Sequence, residues 1–143
     1  MTVQARKRIG LALGGGVARG LAHIGVLSAL SEAGIRVDLV AGSSAGALAG
    51  ALFSSGLPLK DVSLLAAKLN WFRIARPTWP TSGFVSFAPL RKWLVATIGD
   101  LAFEDLHLPF VVAVTDLESG QAVYLRSGKL APAVCASCVI PGF

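Results

Sequence analysis

The chain has 143 residues, enough for one domain of ordinary size rather than two. At 54% apolar and 15% charged it is too hydrophobic for intrinsic disorder, and two cysteines exclude a disulfide-stapled secreted scaffold. The net charge of +5 permits contact with nucleic acid or anionic lipid, but Arg6, Lys7 and Arg8 stand together, and residues 1–8 read as a basic solubilising flank with no nucleic-acid partner implied.

Ile9–Leu13, an apolar run bounded by glycines, predicts a buried strand and is too short for a signal-peptide core. Ile24, Leu27 and Leu30 stand at helical spacing and predict a helix over Arg19–Ala33, with Gly34 as its C-cap. Val37–Ala41 predicts a second strand, stopped by Gly42. Ala45–Phe53, rich in Ala and Leu, predicts a buried helix. The stretch from Leu39 to Leu57 lacks charge, but its glycines and serines speak for turns and tight packing rather than a membrane span. A third helix is expected over Leu59–Ile74, with Pro58 near its first turn. Pro77, Pro80 and Gly83 predict a loop, and Pro89–Ile98 a fourth helix ended by Gly99. Phe110–Thr115 and Ala122–Leu125 predict two strands around the turn Glu118-Ser119-Gly120, and Leu130–Cys138 a last helix. Strands alternating with helices imply an α/β fold with a mainly parallel sheet. The composition points to a cytoplasmic chain, at most peripheral at the inner membrane face.

The strongest chemical motif is Gly42-Ser43-Ser44-Ala45-Gly46, a Gly-x-Ser-x-Gly with Ser44 at its centre. It falls between a predicted strand and a predicted helix, where a sharp turn pushes the middle side chain out of the sheet. Gly42 and Gly46 would keep the flanks small, and the helix start would favour negative charge developing at Ser44. A tight Gly/Ser/Ala turn that only packs helix on sheet would give the same string.

Gly14-Gly15-Gly16-Val17-Ala18-Arg19-Gly20 follows the first predicted strand. A P-loop is excluded, because Leu21-Ala22 stands where Lys-Ser or Lys-Thr is required. A dinucleotide fingerprint is loosely met, with Asp38 about the right distance on, but Asp38 precedes the second strand rather than ending it. The third reading is an oxyanion hole built from glycine N–H groups. If the two strands are parallel neighbours, this loop and Ser44 open at the same sheet edge.

Taken together these residues resemble a family. Ile9-Gly10-Leu11-Ala12-Leu13, the glycine loop with Arg19-Gly20, Ala22-His23-Ile24-Gly25-Val26-Leu27 and the serine elbow resemble the opening of patatin-like phospholipases. Ala113–Gly120 and Ala136-Ser137 with Ile140-Pro141-Gly142-Phe143 resemble later family blocks. The likeness runs from about Arg8 to Phe143, so residues 9–143 are expected to be a patatin-like domain of three-layer α/β/α architecture. The resemblance implies a serine acyl hydrolase for lipid esters, with a Ser–Asp dyad and neither metal nor cofactor. Ser44 carries over as nucleophile, Gly14, Gly15 and Gly16 as the oxyanion loop, and Arg19 as a supporting charge. Val17 departs slightly, since many members have another glycine near there. The family aspartate lies in Asp-Gly-Gly or Asp-Gly-Ala, which these residues lack; with the apolar end at Phe143, the chain is expected to be the N-terminal part of the domain. Two other readings stay open: a non-catalytic remnant, and a nucleotide-binding α/β domain.

The remaining candidates carry simpler expectations. Asp116 reads as a turn cap, His23 as a helix residue bonded to nearby backbone rather than a base, and His107 as an exposed loop residue. Cys135 and Cys138 form a bare C-x-x-C without a second ligand pair, and read as packing residues. Trp71, Phe72, Arg73, Arg76 and Trp79 would suit peripheral contact with an anionic bilayer, although Leu65, Leu69 and Phe72 at helical spacing favour a core-facing stripe.

Overall fold

A computed structural model describes residues 6–69, 76–77 and 85–139. In chain order it contains β1 (Gly10–Leu13), a 3₁₀ turn (Val17–Gly20), α1 (Leu21–Glu32), β2 (Leu39–Gly42), α2 (Ala45–Ser54) and α3 (Leu59–Lys68). There follow β3 (Arg76–Pro77), β4 (Val85–Ser86), α4 (Ala88–Ile98), a second 3₁₀ turn (Phe103–Asp105), β5 (Phe110–Thr115), β6 (Ala122–Leu125) and α5 (Leu130–Cys138).

The main sheet has the order β1-β2-β5-β6, with β1, β2 and β5 parallel and β6 antiparallel to β5. This is the expected α/β fold with a mainly parallel sheet. Both parallel connections step the same way across the sheet, so right-handed crossovers bring their helices to one face. Of the three expected layers, the described residues build the sheet and one helical layer. Val40 of β2 and Phe110 and Val112 of β5 are buried in it, while Leu39, one residue along, is exposed.

α2 is the centre of that layer. Every residue of it except Phe53 is buried, as the run of small and aliphatic residues implied. It contacts β1, β2 and β5 on one side and α1, α3 and α5 on others. Small side chains make this possible: a β-carbon on Gly50 would lie 2.5 Å from the Phe110 ring. Leu48 and Leu52 fill the remaining space, each worth about 1.5–3 kcal/mol by burial.

Three expectations need correction. The first helix begins at Leu21 rather than Arg19, because Val17–Gly20 take the tighter 3₁₀ path that presses Gly20 against Ala45. α3 ends at Lys68 rather than Ile74; Leu69 is already extended, and no glycine or proline advertises the stop. Pro77 is not in a loop but in β3, paired antiparallel with β4, since a two-stranded ribbon is all edge and tolerates proline. Residues 70–75 and 78–84, which hold Trp71, Phe72, Arg73, Trp79, Pro80 and Gly83, lie outside the described residues. Among the described residues no helix is long and apolar enough to cross a membrane.

Asp38 sits at the start of β2, opposite the edge where the glycine loop leaves β1. Its carboxylate accepts the Ile9 N–H at 2.8 Å and the Arg6 guanidinium. The Ile9 N–H first and Arg6 second hold its pKa below the ordinary 3.8. A ribose-binding role is thereby ruled out, because the acid stands at the wrong end of the strand. A carboxylate depressed in the folded state stabilises above its ordinary value and loses that contribution as pH falls through the lowered one. Thermal melts from pH 6 to about pH 2 should therefore fall less steeply in Asp38→Asn than in the unaltered chain; parallel curves would show that the contact contributes nothing.

Candidate functional site

β1 and β2 are paired in register, with Leu13 opposite Gly42. The chain leaves both strands side by side at one sheet edge, and the Ser43 N–H donates to the Leu13 carbonyl at 3.0 Å. The expected juxtaposition of the two glycine-rich turns is therefore present.

The elbow glycines have steric reasons. A β-carbon on Gly42 would lie 2.5 Å from the Gly46 carbonyl oxygen and 2.7 Å from Ala47 Cα. One on Gly46 would overlap the Leu13 carbonyl and lie 2.7 Å from the Gly14 oxygen. These neighbours are backbone and cannot swing aside. The first turn of α2 thus rests directly on the end of β1.

Between the two glycines, Ser44 takes φ 53°, ψ −119°, in the left-handed range that side chains avoid. Such a conformation costs about 1–3 kcal/mol and persists only where the surroundings enforce it. Ser44 is the N-cap of α2, and its carbonyl accepts the Leu48 N–H at 3.1 Å, yet its side chain does not cap the helix. A serine at this position ordinarily spends its oxygen on the helix N–H groups. Burial pushes the Cys138 thiol up to about 12, Cys135 adds to the rise, and the Ser44 hydroxyl works against it.

The glycine loop lies against this serine. A β-carbon on Gly15 would be 3.4 Å from Ser44 Cβ. Among the described residues the N–H groups of Gly15 and Gly16 have no hydrogen-bond acceptor, whereas the Gly16 carbonyl takes the Arg19 N–H at 2.9 Å. The Gly14 carbonyl is 2.8 Å from His23 Nε2, a hydrogen bond in which the ring N–H donates. His23 thus bonds nearby backbone, as expected. The Arg19 side chain is exposed and makes no hydrogen bond or ion pair among the described residues. The glycine loop, with two N–H groups unengaged among the described residues, thus lies beside Ser44 at the start of α2.

The other candidates are placed as follows. Asp116 ends β5 and accepts the Ser119 and Glu118 N–H groups, each at 2.9 Å, which hold its carboxyl below the ordinary value; it caps its own turn. His107 is exposed, with Nδ1 2.9 Å from the Ser55 carbonyl. Cys135 is half-buried and Cys138 buried, both free, and burial raises both thiols. Among the described residues no cluster of three metal-ligating side chains occurs. Sequence reading assigned no role to Ser137, whose Oγ accepts the Ser44 N–H at 2.8 Å. The partners are 93 positions apart, a distance over which spacing carries no information.

Several known proteins are similar to this chain. A family model described as patatin-like phospholipase matches residues 11–143. The neuropathy target esterases sws of Drosophila sechellia and Drosophila melanogaster are each 38% identical over 141 residues, covering 94% of this chain and 10% of theirs. The chain thus spans about a tenth of the length of these curated relatives. VipD from Legionella pneumophila superposes with a TM-score of 0.75 at 16% identity, over 96% of this chain and 43% of its own. ExoU from Pseudomonas aeruginosa, solved in complex with SpcU, gives 0.76 at 22% identity, over 94% and 38%. At such identities the two structures speak for the fold alone.

The elbow's steric argument yields a paired test. Gly42→Ala should cost more than about 3 kcal/mol in denaturant melts, because its methyl meets backbone. Gly25→Ala, in α1 with nothing within 4 Å of its added carbon, should instead stabilise by about 0.5–1 kcal/mol. Equal effects would refute the close approach of α2 to β2.

Proposed function

The chain belongs to the patatin-like phospholipase family, and from that membership and the geometry at Ser44 we propose that it carries the nucleophile and oxyanion loop of a serine acyl hydrolase for lipid carboxylic esters. Phospholipids and lysophospholipids are the substrate class. The observation that carries the reading is Ser44 itself: held with positive φ, relieved of helix capping, and in contact with Gly15. Strain of this kind concentrates where geometry serves chemistry.

In this reading Ser44 Oγ attacks the acyl carbonyl carbon. The electron pair moves to the carbonyl oxygen, where the Gly15 and Gly16 N–H groups and the start of α2 receive the charge, with Gly14 shaping the loop and Arg19 adding positive potential. A base takes the hydroxyl proton and returns it to the departing alcohol. The acyl-enzyme is then hydrolysed by water that the same base activates. No carboxylate among the described residues hydrogen-bonds Ser44. Asp38 serves the far edge of the sheet, Asp100 pairs with Lys129, Asp105 takes the Ala102 N–H and Asp116 closes its turn. The base of the proposed Ser–Asp dyad is accordingly an aspartate beyond residues 1–143, in the Asp-Gly-Gly or Asp-Gly-Ala setting that the resemblance implies, and residues 1–143 by themselves should be inactive.

The test uses the full-length protein with a lysophospholipid or a short-chain nitrophenyl ester. Ser44→Ala should reduce turnover by at least about 10³-fold with the melting temperature kept. Undiminished esterase activity would remove the nucleophile assignment, whereas absence of esterase activity in the unaltered protein would favour a non-catalytic remnant. In the same assay His23→Ala should retain measurable turnover, since its ring supports the Gly14 carbonyl and not the serine proton. Complete loss in a folded His23→Ala protein would make histidine the base.

A further inference from the structure

We infer that Ser137 is a positioning residue for Ser44: its hydroxyl clasps the elbow backbone to Ala113 of β5 and so determines which N–H groups face the substrate. The inference rests on the reading of Ser44 as nucleophile.

The elbow must place each of its backbone donors. The Ser43 N–H continues the pairing with β1 through the Leu13 carbonyl, and the Gly46 N–H returns to the Ser43 carbonyl at 2.9 Å. The Ser44 N–H belongs to neither the sheet nor the helix. It comes after the last residue of β2 and before the first of α2. Left alone in a half-buried turn, it would be an orphan donor. Rotation of the Ser43–Ser44 peptide would turn it toward another partner and would carry the Ser44 side chain away from its present direction.

Ser137 removes that incentive. Its Oγ donates its single proton to the Ala113 carbonyl at 2.6 Å, so toward Ser44 the oxygen acts as acceptor. The polarity of the chain Ser44 N–H, Ser137 O–H, Ala113 C=O is thereby set. α5 packs against both β5 and α2, which delivers Ser137 into the gap between them. Cys138, the next residue, lies beside the Ser44 hydroxyl from the same helix. With its own N–H turned toward β5, Ser44 contributes no donor to the oxyanion. The unengaged N–H groups nearest it among the described residues are those of Gly15, Gly16 and Ala45.

A residue that merely glued α5 to the sheet would affect melting temperature and leave the ratio of kinetic constants alone. A positioning residue acts on kcat. In the full-length protein Ser137→Ala should lower kcat by about 10- to 100-fold with KM within about twofold, and Ser137→Thr, which keeps the hydroxyl, should recover most of the loss. If Ser137→Ala does not fold, Ser137→Cys carries the test: the thiol keeps the volume but accepts poorly, and the same fall in kcat is expected. Wild-type kcat in a folded Ser137→Ala or Ser137→Cys protein overturns the inference. So does a rise in KM with unchanged kcat, or a threonine variant no faster than alanine. Ser44→Ala is measured alongside. An inactive Ser44→Ala with a fully active Ser137→Ala defeats the positioning role alone, whereas an active Ser44→Ala defeats the nucleophile reading and this inference with it.

Discussion

The rest of the site depends on how closely the first turn of α2 approaches the end of β1. At Gly46 there is no room for even a methyl group, since the Leu13 and Gly14 carbonyls occupy the place it would take. At Gly42 the turn of the same helix closes from the other side. Two backbones in direct contact leave the connecting residue no relaxed conformation. Ser44 is forced to positive φ, and its side chain is projected out of the sheet instead of back onto the helix end. The same approach brings the glycine loop against the serine, because the loop is the continuation of the strand on which α2 rests.

A strained residue needs a stable frame. α2 provides it by being buried almost from end to end, between the sheet and three other helices. Its alanines and glycines permit short interlayer distances, and Leu48 and Leu52 supply much of its apolar burial. The strain at one residue is small beside the burial of this helix. Side-chain hydrogen bonds then finish the geometry locally: His23 on the Gly14 carbonyl, and Ser137 on the Ser44 N–H.

Several ionisable groups of the described residues are committed to structure. Asp38 ties the first strand to the second, Asp116 closes a turn, and His107 holds a loop beside the end of α2. Burial keeps Cys138 protonated next to the serine, so it offers a neutral wall and not a competing nucleophile. Among the described residues no carboxylate hydrogen-bonds Ser44.

Much of this was legible in the residues. The strands at Phe110–Thr115 and Ala122–Leu125 and the helix at Leu130–Cys138 have the predicted bounds, because β-branched runs, a Gly turn and the apolar pattern all agreed there. The glycines of the elbow announced close backbone approach, which Gly42 and Gly46 make, whereas Gly14, Gly15 and Gly16 would admit a β-carbon at ordinary contact distances. The stop of α3 was not legible, as Lys68 and Leu69 carry no breaker, and neither was the pairing of Pro77, which depends on a partner strand eight positions away. By itself the sequence determined the fold class, the elbow and the glycine loop, since these follow from local periodicity and from the unique sterics of glycine. Only the tertiary structure decided that Leu13 stands opposite Gly42, that Asp38 takes the Ile9 N–H and Arg6, and that Ser137 meets Ser44. Those contacts join residues far apart in the chain, and only packing in three dimensions selects them.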